Sequence, residues 1–370
     1  MITVVLFAAL AIPRQQVSTS PETNAPVGPE QVLAWQLEGL TQEEIREEVT
    51  RHGLTQCADD RLLNALSSAR ADAETIRVVK QAKAPCTWKL GLRLPGPTDY
   101  LYEMAGAISR GDRETALQTM QDEVGNQPRN PEVRLIYAYL LRSSEDWIMA
   151  YGETTEAVAL SPQSPYAHAL RSTVCYHSRL PECALREAMV FVKLRGEDAR
   201  AYIVLGNARE IQGQDGEALR AYMEAKQLHA GYAEIYAGLG RVYERGGQFE
   251  KAVGAFDEAI RLDGNEAEYY GELAQVYQAE GYMRQAIKNW KKAKELAPER
   301  AELLLALANA YLAAEHYTEA IREYRELLEK APELDSVRPQ LAKALRAEGR
   351  AEEADKVYRE PEELNLTKEQ

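Results

Sequence analysis

Apolar residues recur along this chain with a helical period, and the whole pattern returns every 34 residues. Between residues 233 and 264, AEIYAGLGRVYERGGQFEKAVGAFDEAIRLDG places apolar residues three and four apart, which is typical of amphipathic helices. The glycines of Arg245-Gly246-Gly247 divide this stretch into two helices joined by a tight turn. The clearest marker is an alanine early in each second helix, at Ala116, Ala150, Ala184, Ala218, Ala252, Ala286, Ala320 and Ala354. This fixed period predicts an all-α array of stacked helical hairpins, each too small to bury its own apolar face.

Further positions repeat in the same register. In the unit that starts at residue 233 they are Tyr236, Leu239, Gly240, Tyr243, Ala252, Phe256 and Ala259. The pattern resembles the tetratricopeptide repeat over residues 97–358, in units that start at residues 97, 131, 165, 199, 233, 267, 301 and 335. The resemblance implies an α-α superhelix, a solenoid of about eight helical hairpins. It also implies that the first helices line a concave groove, which binds an extended peptide or a helix of a partner protein.

The residues that map to this groove change along the array. They are Tyr139, Arg142, Tyr166, Thr173, Tyr176, His177, Arg200, Asn207, Arg241, Arg245 and Asn309. Aromatic and Arg side chains anchor many interfaces, and Asn can hold a peptide backbone. For each residue the alternative is a solvated helix face. The units between residues 131 and 196 depart most from the regular pattern, so we expect any distinctive site there.

A different kind of sequence precedes the array. Residues 1–12, MITVVLFAALAI, are predicted to be a signal peptide or short anchor, because an apolar run is followed by the small-x-small step Ala9-Leu10-Ala11. No Lys or Arg precedes the run, so a buried N-terminal helix in a cytoplasmic protein is the alternative to export into the periplasm or cell envelope. The other predicted segments are a flexible linker over 13–29, a small helical module over 30–84, a linker over 85–96 and a polar tail over 359–370. Within the module, LEGLTQEEIREEVTRHGL is similar to a helical module that precedes repeat arrays in some bacterial proteins.

The composition and motifs of the chain restrict the classes of ligand that it is expected to bind. The chain has 44 Lys and Arg against 58 Asp and Glu, a net charge of −14, which argues against nucleic acid as a ligand. No apolar run reaches the roughly 18 residues of a membrane-spanning helix, so we expect no integral span. The sequence has no Gly-rich phosphate loop, His-Glu-x-x-His or Cys-x-x-Cys motif. We therefore expect no catalytic residues, metal or cofactor.

Four cysteines fall as two pairs, Cys57 with Cys86 and Cys175 with Cys183. Even pairing in an oxidising compartment favours disulfides. For Cys175 and Cys183 two alternatives remain: free buried thiols, or a metal site shared with His168 and His177. The spacing of that group matches no standard zinc pattern.

The sequence thus predicts a non-enzymatic scaffold or adaptor that binds a protein or peptide partner in its groove. One alternative is an accessory subunit of a cell-envelope or secretion assembly, in which residues 30–84 dock and the array is a rigid spacer. Another is a redox or metal-binding protein built on Cys175 and Cys183.

Overall fold

The structure, a computed structural model, describes eight isolated positions between residues 32 and 50 and three continuous ranges, 60–82, 99–332 and 334–357. Several sequence predictions lie outside the described residues: those for 1–12, 13–29, 85–96 and 359–370, and those for Cys57 and Cys86. In the three continuous ranges the chain forms 18 α-helices and no strand, which confirms the all-α prediction. None of these helices combines the length and the apolar character needed to cross a bilayer.

The chain divides into two compact units, and the first is Met1–Leu160. Its described helices are α1 (Asp60–Ser68), α2 (Ala73–Gln81), α3 (Asp99–Arg110), α4 (Arg113–Asn126), α5 (Pro131–Ser143) and α6 (Trp147–Leu160). Helices α3 to α6 form the first two predicted hairpins, and α1 contacts α3. The boundary between the compact units therefore lies inside the predicted array. The assignment of residues 30–84 as a separate domain stays a prediction.

The second unit, Ser161–Gln370, contains six further hairpins. Their helices are α7 (Pro165–His177), α8 (Pro181–Leu194), α9 (Ala199–Ile211), α10 (Asp215–Leu228), α11 (Ala233–Arg245), α12 (Phe249–Leu262), α13 (Ala267–Ala279), α14 (Met283–Leu296), α15 (Ala301–Ala313), α16 (Tyr317–Lys330), α17 (Arg338–Ala347) and α18 (Ala351–Lys356). The second helix of each hairpin also contacts the first helix of the next. A short 3₁₀ helix, Asp335–Val337, precedes α17. The first helix of the last hairpin therefore begins at Arg338, a few residues after the predicted start of that unit at residue 335.

The turn inside every hairpin follows one design. Its fifteenth position has a left-handed backbone and is Gly111, Glu145, Arg179, Gly213, Gly247, Gly281, Glu315 or Gly349. Glycine suits this position because it has no Cβ to clash. The next amide then donates to a carbonyl five residues earlier, as from Gln248 N to Tyr243 O at 2.8 Å. This Schellman closure ends each first helix at the same place in the repeat.

The buried residues of the core also recur at equivalent positions of the 34-residue unit. All eight marker alanines are buried, with at most 1% exposure. They allow close approach of the two helices of a hairpin, and aromatic rings from the second helices fill the remaining space. Tyr222 is fully buried between Gly206 of its own hairpin and Gly238 of the next. A Cβ at Gly206 or Gly238 would lie 2.5 Å or 2.3 Å from the ring, so the small residues of the first helices make room for it.

Candidate functional site

The first helices of the second unit share one surface. Helices α7, α9, α11 and α13 contact one another in sequence order. The ninth residue of each of the first five hairpins of this unit lies partly or fully exposed on this surface, at Thr173, Asn207, Arg241, Gln275 and Asn309. We call the exposed surface of α7, α9, α11, α13 and α15 the first-helix face. It carries an ion cluster in its middle and a pocket beside α15.

A buried carboxylate, Glu210 of α9, is the centre of the ion cluster. Its Oε1 accepts a hydrogen bond from Arg241 Nε at 2.9 Å and one from Arg245 Nη1 at 3.0 Å. Its Oε2 accepts from the Tyr222 hydroxyl at 2.8 Å. Burial raises the pKa of Glu210, but these partners, Arg241 above all, lower it by more, so the carboxyl is ionised at neutral pH. We call Glu210, Arg241, Arg245, Tyr222 and Glu272 the Glu210 cluster.

Glu272 of α13 has a different environment. Arg241 Nη1 donates to Glu272 Oε1 at 3.1 Å, so one guanidinium joins the first helices of three consecutive hairpins. The other oxygen, Oε2, is buried and has no hydrogen-bond partner among the described residues. Burial raises the pKa of Glu272 to about 7, outweighing the opposing charge of Arg241. The cluster therefore contains one carboxyl group that changes its charge near neutral pH.

Four predicted groove residues meet at this cluster: Tyr176, Asn207, Arg241 and Arg245. Asn207 Oδ1 lies 2.6 Å from the Tyr222 hydroxyl, whose single proton it shares with Glu210, and it accepts from Arg241 Nη2 at 3.4 Å. Arg245 also pairs with Asp215 at 2.8 Å. Burial raises the pKa of the Tyr176 phenol, and the charge of Arg241 acts on it in the opposite direction. The two arginines are thus engaged within the chain, where they hold neighbouring hairpins together.

A pocket opens on the same face between α13, α14 and α15. Its volume is about 450 Å³, and it is lined by Gln275, Gln278, Ala279, Trp290, Ala306 and Asn309. Asn309 Oδ1 accepts from the Tyr324 hydroxyl at 2.6 Å, which fixes the orientation of the Asn309 amide. Trp290 is 4% exposed, and its indole nitrogen is buried without a hydrogen-bond partner in the described part of the chain. We call this site the amide pocket.

Other predicted groove residues make local contacts. In the first unit, the Arg142 guanidinium lies over the Tyr139 ring, 4.8 Å from its centroid. In the second, the Arg200 guanidinium lies 5.7 Å from the centroid of the Tyr166 ring. Such cation–π pairs order aromatic side chains that an interface could use. The role of these four residues in binding stays a prediction.

The remaining predicted site residues, Thr173, His177, Cys175 and Cys183, lie near the end of α7 and the start of α8. The Thr173 hydroxyl donates to a backbone carbonyl one turn earlier, and the rings of Tyr176 and His177 meet edge to face at 5.1 Å. Cys175 is joined to Cys183 by a disulfide, with the two Cα atoms 5.8 Å apart. Both cysteines are buried, so this bond ties the end of α7 to the start of α8 within the protein interior.

A buried pair, His168 and Glu187, joins the same two helices, α7 and α8. His168 Nδ1 is 2.7 Å from Glu187 Oε2, and His168 Nε2 is 3.0 Å from the Pro162 carbonyl oxygen. Both ring nitrogens of His168 therefore face protein acceptors. No group of three or more His, Cys, Asp or Glu residues able to hold a metal ion occurs among the described residues.

Sequence reasoning missed the residues that complete both features: Glu210, Glu272, Gln275, Gln278 and Trp290. A signal for the first two was present, because Glu210, Arg241 and Glu272 are spaced by 31 residues on each side. For the pocket the signal was Trp290, which replaces the Tyr or Phe found at the same position of the neighbouring units.

Comparison with protein families finds three matches. Residues 233–266 and 267–300 match family models described as the tetratricopeptide repeat. Residues 294–358 match the model described as the N-terminal TPR repeats of the surface lipoprotein assembly modifier. A comparison with the sequences of curated proteins gives no match.

Solved structures show the same architecture. The APC/C hetero-tetramer Cut9–Hcn1 is 15% identical with a TM-score of 0.57, over 85% of this chain and 69% of that chain. A thermophilic TPR protein of Thermus thermophilus, TTC0263, is 23% identical with a TM-score of 0.47, over 50% of this chain and 100% of that chain. MamA is 25% identical with a TM-score of 0.34, over 45% of this chain and 96% of that chain. At this identity the likeness to Cut9–Hcn1 concerns the fold, and it confirms the predicted α-α solenoid.

Proposed function

This chain is a tetratricopeptide-repeat protein, and we propose that it is a non-enzymatic interaction scaffold that binds a peptide or helix of a partner protein on its first-helix face. The observation that supports the proposal is the amide pocket. It is a concavity of about 450 Å³ in which the exposed amide side chains of Gln275, Gln278 and Asn309 surround part of the Trp290 ring. Hydrogen-bonding groups left unused in a pocket are suited to receive a ligand.

The Glu210 cluster supports the same proposal through rigidity. Arg241 joins α9, α11 and α13 by hydrogen bonds of 2.9 to 3.1 Å to Glu210 and Glu272. A face whose helices are already held in position loses less conformational freedom when a ligand binds. The arginines predicted to bind the partner directly therefore act as supports in this proposal, and the partner is held by neighbouring side chains.

Site-directed crosslinking tests the proposed face. Random peptides displayed on phage are selected on the purified full-length chain. The selected peptides are then irradiated with two variants that carry a photo-crosslinking amino acid. One variant has it in place of Gln278 on the first-helix face. The matched control has it in place of Arg220, which is exposed on the second helix α10. We expect crosslinks at position 278 and none at position 220. Equal labelling at both positions, or no selected peptide, would count against the proposal.

A second candidate function is that of an accessory subunit in a cell-envelope assembly. The match of residues 294–358 to repeats of the surface lipoprotein assembly modifier supports it. The Cys175–Cys183 disulfide agrees with an oxidising compartment, where such bonds persist. Residues 1–29 fused to alkaline phosphatase, which is active only after export, test this candidate. Active fusions are expected, and a fusion that stays inactive although expressed contradicts export.

A further inference from the structure

We propose that the amide pocket and the glutamates beside it bind an extended peptide segment that has an apolar side chain and, about three residues away, a Lys or Arg. The inference rests on the proposed function and names the class of segment that the first-helix face accepts. It depends on the exposed surface of the pocket, on the charges that flank it and on the distance between the two.

The amide pocket offers apolar groups that a ligand can reach. Ala279 and Ala306 line it with their methyl groups, together with the small exposed part of the Trp290 ring. Its volume of about 450 Å³ is in the range of small ligand sites, which are lined mainly by apolar groups with a few polar ones. A side chain that covers these methyl groups removes apolar surface from water, which favours binding. An apolar side chain therefore fits the pocket itself.

The amides around the pocket suit the backbone of such a segment. Gln275 and Gln278 are exposed, and each offers a carbonyl acceptor and an amide donor. Asn309 is exposed as well, and its Oδ1 lies 2.6 Å from the Tyr324 hydroxyl, so its amide nitrogen is the end that remains for a ligand carbonyl. A peptide backbone has one donor and one acceptor for each residue, so these amides can pair with an extended segment.

Three glutamates form a row at the N-terminal ends of the first helices. The second residue of α11, α13 and α15 is exposed in each case, at Glu234, Glu268 and Glu302, which we call the glutamate row. The carboxylates of Glu234 and Glu268 have no ion-pair partner among the described residues. Glu302 has one distant contact, 4.0 Å from Arg300 Nε. Exposed carboxylates without close counter-ions attract a cation.

Helical spacing places the glutamate row and the amide pocket on one side of each helix. On α13, Glu268 lies seven residues before Gln275, and on α15 Glu302 lies seven residues before Asn309. Seven residues are close to two helical turns, so both side chains of each pair lie on the same face. The charge of Glu268 also raises the pKa of Glu272, which belongs to the Glu210 cluster on the first-helix face.

Charge is unequally divided between the helices around the pocket. Helices α13 and α15 have three Glu and no Lys or Arg, whereas α14 has five Lys and Arg against one Glu. The cation of the neighbouring cluster, Arg241, is already paired with Glu210 and Glu272. A Lys or Arg of the partner is therefore attracted to the first-helix face, and an Asp or Glu is repelled from it.

The distance between the pocket and the row sets the spacing in the ligand. Seven residues of α-helix span about 10 Å, since each residue rises by about 1.5 Å. An extended peptide advances by about 3.3 Å for each residue. About three residues therefore separate the apolar side chain in the pocket from the Lys or Arg at the row.

Three short peptides test the charge and the apolar side chain separately. The probes are Lys-Ser-Ser-Leu, Glu-Ser-Ser-Leu and Lys-Ser-Ser-Ser, each acetylated and amidated, added to the full-length chain with ¹³C-labelled alanine methyl groups. Ala279→Ser and Ala306→Ser identify the two signals from the pocket. We expect Lys-Ser-Ser-Leu to shift both signals in a saturable way, and the other two peptides to bind about tenfold more weakly. Equal responses to Lys-Ser-Ser-Leu and Glu-Ser-Ser-Leu would overturn the inference.

Exposed glutamates allow a matched set of variants. Glu268→Gln with Glu302→Gln removes two charges of the row, and Glu250→Gln on the second helix α12 is the control. The double variant should bind Lys-Ser-Ser-Leu about three- to tenfold more weakly, while the control keeps the wild-type affinity. Glu268→Lys with Glu302→Lys should instead prefer Glu-Ser-Ser-Leu. Unchanged affinity and unchanged preference in these variants, with unchanged helical circular dichroism, would show that the row does not receive the cation.

The phage-selected peptides separate this inference from the proposed function. Those that crosslink at position 278 should carry a Lys or Arg about three residues from an apolar residue. Selected peptides that lack a basic residue, and that bind the Gln double variant as well as the wild type, would refute the inference and leave the proposed function standing. Failure to select any peptide would contradict the proposed function, and the inference falls with it. Pocket signals that move with protein concentration alone would mean that a second copy of the chain occupies the pocket, which also overturns the inference.

Discussion

Replacing Glu272 by Gln should stabilise the chain above neutral pH, although the change removes a charged partner of Arg241. In the folded chain, burial raises the pKa of Glu272 from the ordinary value of 4.5 to about 7, against the opposing charge of Arg241. A carboxyl group whose pKa is higher in the folded than in the unfolded state stabilises the fold fully below the unfolded value. That contribution is lost as the pH rises from about 4.5 through about 7, because the folded chain must then accept a buried charge.

The size of the effect follows from the difference between the two pKa values. One pKa unit corresponds to about 1.4 kcal/mol, so the wild type should lose roughly 2–3 kcal/mol relative to Glu272→Gln between pH 5 and pH 8. Gln at this position still accepts a hydrogen bond from Arg241. It also leaves no carboxylate oxygen buried and charged without a partner. The variant should therefore be close to the wild type at pH 5 and more stable at pH 8.

Urea unfolding followed by circular dichroism from pH 5 to pH 8 measures this difference. The matched control is Glu250→Gln, because Glu250 is exposed on α12. Its midpoint should follow that of the wild type at every pH, whereas the midpoint of Glu272→Gln should rise relative to both. Parallel curves for all three proteins would refute the reasoning. They would mean that solvent or Arg241 stabilises the ionised carboxylate of Glu272 in the folded chain as well as water does in the unfolded chain.

Three further predictions concern stability. Gly238→Ala places a methyl group 2.3 Å from the Tyr222 ring and should cost about 1–3 kcal/mol in urea unfolding. Gly254→Ala, with nothing within 4 Å, should gain up to about 1 kcal/mol, and equal effects of the two changes would contradict the packing argument. Glu315→Gly should raise the free energy of unfolding by up to about 1 kcal/mol, because Glu315 has a φ of 61°, and a loss of stability would show that the contacts of its side chain outweigh that strain. Reduction of the disulfide at Cys183 should cost about 2–3 kcal/mol, and a melting temperature unchanged by reductant would contradict a structural role.

Most of the fold could be predicted because each structural role recurs in every unit. The buried alanine and the left-handed turn position occur eight times each, so the pattern is visible even where Glu145, Arg179 and Glu315 replace the usual glycine. Buried residues are harder to predict outside the 34-residue repeat. Leu62, Leu66 and Val79 are buried in α1 and α2, whereas the equally apolar Leu63 and Ile76 are only half-buried. The short helices α1 and α2 each occur once, so no equivalent positions in other units indicate which of their apolar residues are buried.

The site was harder to predict, because its residues interact between units. Arg241 was selected from the sequence as a residue that binds a partner, yet its own partners are Glu210 and Glu272, each 31 residues away. A pattern within one helix cannot distinguish an arginine offered to a ligand from one that joins two hairpins. The distinction depends on which charges the adjacent hairpins place beside it. That information is present in the sequence only as a long-range offset.

The pocket and the ion cluster arise from one pair of positions in the repeat. In two units the second helix contributes a tyrosine whose hydroxyl reaches the ninth residue at 2.6 Å, from Tyr222 to Asn207 and from Tyr324 to Asn309. Beside Asn207 the space is taken by Arg241, whose Nη2 lies 3.4 Å from the asparagine oxygen. In the pair of units that forms the pocket, Gln275 stands where the first pair has Asn207, Asn309 where it has Arg241, and Trp290 where it has Tyr222. Neither a guanidinium nor a phenol then fills the space, and the indole donor has no partner among the described residues. The same two positions thus close the face at one pair of hairpins and leave it open at another. An array with otherwise uniform packing thereby presents one site of distinct chemistry.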